Sequence, residues 1–229
     1  MAEIVKVRRD DPEAEVIARA AEMIRKGEVV AIPTDTFYGL AANPFDAEAV
    51  ERVFAIKGRA KHMPLLLLVD SAAMARELAA NLPEKFERLA KRFWPGPLTM
   101  VVEAGARVPA AVTGGTGRIG LRVPQAAVAA AIVKQAGTPI IGTSANLSGE
   151  KECATAEEVE EQIGAAVPLI LDGGDGGGDG GASGAVRAST VVDVRADSWK
   201  VLREGAIEAR AIARVLGEPG EPGEPGEPA

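Results

Sequence analysis

The amino-acid sequence predicts an α/β protein, one domain built on a twisted mixed sheet with helices on both faces. Three observations carry that prediction. Short apolar runs alternate with segments of helical period along the chain, the pattern that sets strands and helices in turn around a shared sheet. One run, Leu65 to Val69, is apolar at every residue, as a central strand covered on both faces requires. The last two strand-like runs, Ser189 to Val194 and Trp199 to Arg203, are close enough in sequence to pair antiparallel, so the sheet is mixed rather than purely parallel. With 229 residues and 47% hydrophobic side chains, the chain can bury a core of one-domain size. Aromatic residues make up only 3%, so Leu, Val, Ile and Ala must fill that core.

Taken in order, Ile4 to Val7 reads as a short edge strand. Asp11-Pro12 offers an N-cap with proline at the first helical position, and Val16, Ala20, Met23 and Ile24 give the helix an apolar face before Gly27. Val29 to Ile32 is a strand, ended by Pro33 at a turn crowded with hydroxyls: Thr34, Asp35, Thr36, then Tyr38. Asp46 caps a helix with Ala49, Val50, Val53 and Phe54 on its apolar face, running to Lys57. Gly58 stops that helix by taking a positive φ. In an extended segment residues two apart share a side, so Lys57 and Arg59 can aim at one spot and form an anion site. The competing reading is a basic helix end that answers the dipole.

Ser71 caps a helix through Ala80, and Pro83 begins another whose Arg88, Lys91 and Arg92 form a solvated face. Trp94-Pro95-Gly96-Pro97 is a rigid break before the strand Leu98 to Glu103. In Arg118 to Val123 a period of two sets Arg118, Gly120 and Arg122 on one side and Ile119, Leu121 and Val123 on the other. Gln125 to Gln135 is an alanine-rich helix ending at Gly137. Pro139 to Gly142 is a short strand running into Thr143-Ser144-Ala145-Asn146. Thr155 with Glu158 makes a capping-box pattern, Val167 to Leu171 is a strand, and Ala206 to Leu216 is a closing helix. The domain therefore spans 1–216, and the Gly-Glu-Pro triplets of 217–229 form a disordered tail.

Composition narrows the chemistry. The formal net charge is -7, but Glu218, Glu221, Glu224 and Glu227 lie in the tail, and the body without them is near -3. That balance argues against a general polyanion binder and allows a local basic pocket for a small anionic ligand. The single cysteine, Cys153, excludes an intrachain disulfide, and the single histidine, His62, leaves no Cys/His zinc set. The start has no secretory apolar region, and no run is long enough to cross a membrane. A cytoplasmic protein is the expectation.

Several motifs tempt and fail. Gly115-Thr116-Gly117-Arg118-Ile119-Gly120 matches the dinucleotide fingerprint but leads into a strand instead of opening a helix. Gly142 to Asn146 lacks the final glycine of a nucleophile elbow. The glycine-rich run from Asp172 to Gly184 reads as a flexible loop or a lid over a site. What survives is a set of extended polar segments presenting side chains two apart: Thr34/Thr36, Lys57/Arg59, Arg118/Arg122 and Ser144/Asn146, with Ser189 and then Arg203 at a strand end. Together they describe one face for a ligand with several anionic groups and hydroxyls.

The strings PTDTFYGL, KGR followed by PLLLLV, GLRVP, GTSANLSG, STVVDV and VLREGAI occur in this order. With them the chain resembles the YrdC-like family, the threonylcarbamoyl-AMP synthases, from the first strand to Ala206. The pairing of K-x-R with a distant S-x-N is the specific part. The resemblance implies a deep positively charged cavity in the sheet, and condensation of L-threonine, bicarbonate and ATP into threonylcarbamoyl-AMP with release of pyrophosphate. It implies Lys57 and Arg59 on phosphate and carbamate as the catalytic pair, Thr34, Arg122 and Ser189 on threonine, and Ser144, Asn146 and Arg203 on ATP, with Mg²⁺ accompanying the triphosphate. It further implies a downstream threonylcarbamoyl transferase complex, with room for weak tRNA binding. Three departures stand out. Met63 occupies a position where the family often has His or Lys, with His62 one residue earlier. The glycine run before Ser189 is longer than usual, and the extra C-terminal domain of the longer branch is lacking. A non-catalytic tRNA-binding module and a carbamoyl-adenylate-forming relative are the alternatives.

Overall fold

The computed structural model describes residues 2–174 and 187–217. The tail after Gly217 and the glycine-rich run beyond Gly174 therefore lie outside the described residues. The first half runs β1 (Glu3–Lys6), α1 (Ala14–Arg25), β2 (Val30–Ile32), β3 (Gly39–Ala41), α2 (Ala47–Lys57), β4 (Leu66–Leu68), α3 (Ala72–Leu78), β5 (Ala79–Asn81) and α4 (Glu84–Phe93). The second runs β6 (Leu98–Ala104), α5 (Ala110–Thr113), β7 (Arg118–Arg122), α6 (Ala127–Ala136), β8 (Ile140–Ile141) and β9 (Thr143–Ser144). It closes with α7 (Ala156–Ile163), β10 (Leu169–Asp172), β11 (Thr190–Asp193), β12 (Lys200–Arg203) and α8 (Ala209–Leu216).

The α/β class and mixed pairing are as the sequence predicts, but the strands form two mixed sheets rather than one. The five-stranded sheet has the order β1-β10-β2-β3-β9, and the seven-stranded sheet runs β12-β11-β6-β7-β4-β8 with β5 on β6. The division follows from β3, three buried residues hidden in what reads as a hydroxyl-rich turn. β3 pairs antiparallel with β2 and β9, so it draws Thr143 and Ser144 into the smaller sheet. Ile140 and Ile141, only just upstream, pair with β4 in the larger one. Gly142 is where the chain crosses. A Cβ there would stand 2.5 Å from Leu68 Cγ, so the crossing admits no side chain without moving β4.

Helix ends follow local chemistry, with two corrections. Asp46 caps α2 by accepting from Glu48 N and Ala49 N, and Gly58 ends it at φ 56°. Asp11 does not cap α1. That helix begins at Ala14, while Asp11 pairs with Arg8 at the surface. The Ser71-capped α3 stops at Leu78, because Ala79–Asn81 turn extended and pair with β6. β11 and β12 pair antiparallel as expected.

The core has two parts. α1 and α6 cover one side of both sheets, burying Ile17, Ile24, Ile132 and Val133 against Ile32, Leu68 and Leu171. The larger part packs Tyr38, Phe54, Leu65, Phe86, Leu98 and Leu121 together. Each such side chain contributes about 1.5–3 kcal/mol by leaving water. Among the described residues no helix is long and apolar enough to cross a membrane.

Candidate active site

Between the sheets lies a cavity of ≈ 300 Å³, and six of the eight expected site residues line it: Thr34, Arg59, Arg122, Ser144, Ser189 and Arg203. They come from the β2–β3 turn, the segment after α2, β7, β9, the approach to β11, and β12. The topology thus gathers residues that are far apart in the chain. Arg118, at the other end of β7, is exposed and stays outside.

The turn after Pro33 is held by its own hydroxyls. Thr34 Oγ1 donates to Phe37 O at 2.7 Å, accepts from Thr36 N at 3.1 Å and meets Thr36 Oγ1 at 3.1 Å. Across the cavity, Arg203 donates to Ser189 O from Nε at 3.2 Å and from Nη2 at 3.0 Å, and to Ser189 Oγ at 3.1 Å. Thr99 Oγ1 adds a contact to Ser189 Oγ at 3.1 Å. Arg59 donates to Pro64 O at 2.9 Å, while its buried Nε has no partner. Burial lowers the pKa of this guanidinium from its ordinary value.

Lys57 and Asn146 sit behind the wall instead of on it. The expectation that Lys57 and Arg59 present side by side into one space is thus met by Arg59 alone. The reason is geometric: Lys57 is the last residue of α2, before the left-handed Gly58, and its side chain passes under the Thr143–Asn146 segment. Its Nζ donates to Ser144 O, to Asn146 O at 2.8 Å and to Asn146 Oδ1 at 3.1 Å. Asn146 Oδ1 also accepts from Ser144 Oγ at 2.6 Å, and its Nδ2 donates to Glu150 O at 2.7 Å. Lys57 therefore fixes the loop that presents Ser144.

Arg122 is 4% exposed and forms an ion pair with Asp35, which is 13% exposed. Its Nε donates to Gly96 O at 3.1 Å and its Nη1 reaches Thr36 Oγ1 at 3.4 Å. The guanidinium is thus held at the cavity wall by the protein's own groups. Asp35, visible in the hydroxyl-rich turn, carries no signal in the sequence that it would pair with a strand residue so far along.

Two further lining residues escape sequence reasoning. Tyr38 OH donates to Gly174 O at 2.9 Å and accepts from Gly173 N at 3.1 Å, tying the end of β10 to the cavity. Burial pushes its phenol up to about 12, so it serves as a neutral anchor. Glu152 also lines the cavity. Its neighbour Cys153 is buried, and burial first and Glu158 second push the thiol up to about 11. A thiol so rarely ionised is no nucleophile. His62 and Met63 are both exposed and outside the lining, so neither takes the place considered for them. The arrangement offers cationic groups and hydroxyls around a hollow, suited to binding and neutralising an anionic substrate.

A family model for Sua5, YciO and YrdC, described as "Telomere recombination", matches residues 22–205. A threonylcarbamoyl-AMP synthase of Pyrococcus abyssi is 38% identical over 199 residues, covering 87% of this chain and 56% of that protein. One from Bacillus subtilis is 36% identical over 210 residues, covering 91% of this chain and 58% of that protein. The crystal structure of P. abyssi Sua5 complexed with L-threonine superposes with a TM-score of 0.88 at 37% identity, over 95% of this chain and 62% of that one. The chain thus spans little more than half the length of these relatives. With the match across most of its length, and a cavity built from the residues that carry the likeness, the chain belongs to the Sua5/YciO/YrdC family.

Proposed function

We propose that this chain condenses L-threonine, bicarbonate and ATP into threonylcarbamoyl-AMP and pyrophosphate, supplying a downstream threonylcarbamoyl transferase complex in the cytoplasm for tRNA modification. The observation that carries the reading is the convergence of Thr34, Arg59, Arg122, Ser144, Ser189 and Arg203 on one cavity. In this reading the threonine amine attacks bicarbonate, and its carbon–nitrogen bond forms as a carbon–oxygen bond breaks and water leaves, giving the carbamate. A carbamate oxygen then bonds to the α-phosphorus of ATP as the bond to pyrophosphate breaks. Such transfers depend on positioning and charge neutralisation more than on covalent help from the protein.

The roles assigned here are those the family resemblance implies, adjusted to where each side chain lies. Arg122 grips the threonine carboxylate, with Thr34 and Ser189 on the rest of that substrate; a guanidinium suits a two-point carboxylate grip. Arg59 neutralises phosphate and carbamate charge, Ser144 and Arg203 hold ATP, and Lys57 and Asn146 act by fixing Ser144. No set of three or more His, Cys, Asp or Glu side chains among the described residues gathers as a metal cage. The one carboxylate among the described residues lining the cavity, together with its hydroxyls, fits Mg²⁺ arriving with the triphosphate, where Glu152 and Ser144 would hold it and it would neutralise phosphate charge.

The test is pyrophosphate release with each co-substrate omitted in turn. Release is expected only when threonine, bicarbonate and ATP are all present, and Arg59→Ala is expected to abolish it without unfolding the protein. Release with serine in place of threonine at equal rate, or without bicarbonate, overturns the reading.

The charge on Lys57 adds a pH dependence. Burial chiefly, and Arg59 next, bring its ammonium down to about 8 against an opposing push from Glu152. Lys57 is a cation below that value and neutral above it. ATP affinity is therefore expected to weaken as pH rises through about 8. Stability from this group moves the other way, rising from about 8 toward the ordinary 10.5, because there the unfolded chain binds the extra proton. Calorimetric titrations of ATP across this range check the first trend, and a flat profile removes the Lys57 charge from binding.

A further inference from the structure

We propose that Glu152 is a metal ligand of the nucleotide site: its carboxylate and the phosphates of a bound nucleoside triphosphate hold a divalent cation between them. The cavity then takes the nucleotide as its metal complex. This rests on the nucleotide reading above. Glu152 is the one acidic side chain among the described residues that line the cavity. Its position is fixed from both sides. Asn146 Nδ2 donates to Glu150 O at 2.7 Å, and Tyr38 N donates to Cys153 O at 2.9 Å. Ser148 N also donates to Lys57 O at 2.8 Å. Glu152 therefore rides on a strap fastened to the Lys57–Ser144–Asn146 cluster, the part of the wall assigned to phosphate. Its charge is felt by Lys57, where it opposes Arg59.

A carboxylate at that place repels phosphate, and more strongly in protein surroundings than in water. A divalent cation between them reverses the sign. Mg²⁺ is ordinarily bound through one or two carboxylates together with substrate phosphates. The charge balance points the same way. Asp35 already offsets Arg122, so one of the three arginines among the described residues lining the cavity comes with its charge partly neutralised.

The experiment titrates ATP into the full chain by calorimetry, once with Mg²⁺ and once with EDTA, for the unaltered protein and for Glu152→Gln. Mg²⁺ is expected to tighten ATP by about tenfold or more in the unaltered protein. Glu152→Gln is expected to lose most of that gain, binding the metal complex less tightly and metal-free ATP more tightly. A Glu152→Gln protein that keeps the whole gain overturns the assignment and leaves the nucleotide reading intact. ATP bound by neither protein under either condition overturns the nucleotide reading and this proposal with it. Glu152 is half-buried on a loop, so the variant is expected to fold, and thermal melting checks that it does.

Discussion

Lys57→Ala is expected to abolish pyrophosphate release and to destabilise the protein by several kcal/mol. The two effects share a cause. Lys57 Nζ donates to Ser144 O, Asn146 O and Asn146 Oδ1, in a region where the lysine is 2% exposed. Alanine takes this donor from Ser144 O and Asn146 O and leaves Asn146 Oδ1 with Ser144 Oγ alone, and each unsatisfied buried group costs about 1–3 kcal/mol. Relief of the buried ammonium's own desolvation offsets part of the loss. Against a total stability of about 5–15 kcal/mol for an ordinary domain, what remains is large. Arginine is no substitute, since its planar fork cannot follow three acceptors arranged around a point donor. Urea unfolding beside the pyrophosphate assay checks both parts. A Lys57→Ala protein within about 0.5 kcal/mol of the parent would mean that the Ser144–Asn146 loop holds itself.

The second large effect is expected at the Arg122–Asp35 pair. Asp35→Ala strands a guanidinium that is 4% exposed, and removing one partner of a buried ion pair costs about 3–5 kcal/mol. Arg122→Ala strands the carboxylate in turn. The double variant leaves no charge uncompensated, so its destabilisation is expected to be smaller than the sum of the two. Strict additivity would mean the pair does not interact. In the assay, Asp35→Ala is expected to raise KM for threonine more than it lowers kcat, because Arg122 remains but is no longer held at its angle.

How much of this was legible in the sequence differs by distance along the chain. Local signals carried well: Asp46 and Ser71 cap where their spacing indicates, and Gly58 takes the left-handed turn. The alternation in Arg118 to Val123 does bury Ile119 and Leu121, although Arg122 is buried with them on the other side. Division into two sheets was not legible, because it turns on β3, whose Gly39–Ala41 has neither length nor alternation to mark it. For the site, residue types in the polar segments named seven of the lining groups, Thr36 among them. What sequence could not give was orientation. The spacing of Lys57 and Arg59 is compatible with both facing the ligand, and only the fold of Ser144 to Asn146 across the end of α2 decides that Lys57 faces the protein. Asp35 and Glu152 matter through partners distant in the chain, and neither carries a local pattern that announces it.

The crossing at Gly142 has a consequence for folding cooperativity. Ile141 belongs to one sheet and Thr143 to the other, so here one residue links the two hydrogen-bonded ladders, whereas β3 reaches β4 only through α2. Loss of either ladder releases Ser144 and the Lys57 loop together. Melting is therefore expected to proceed as one event, with no half-formed species retaining the phosphate-facing wall.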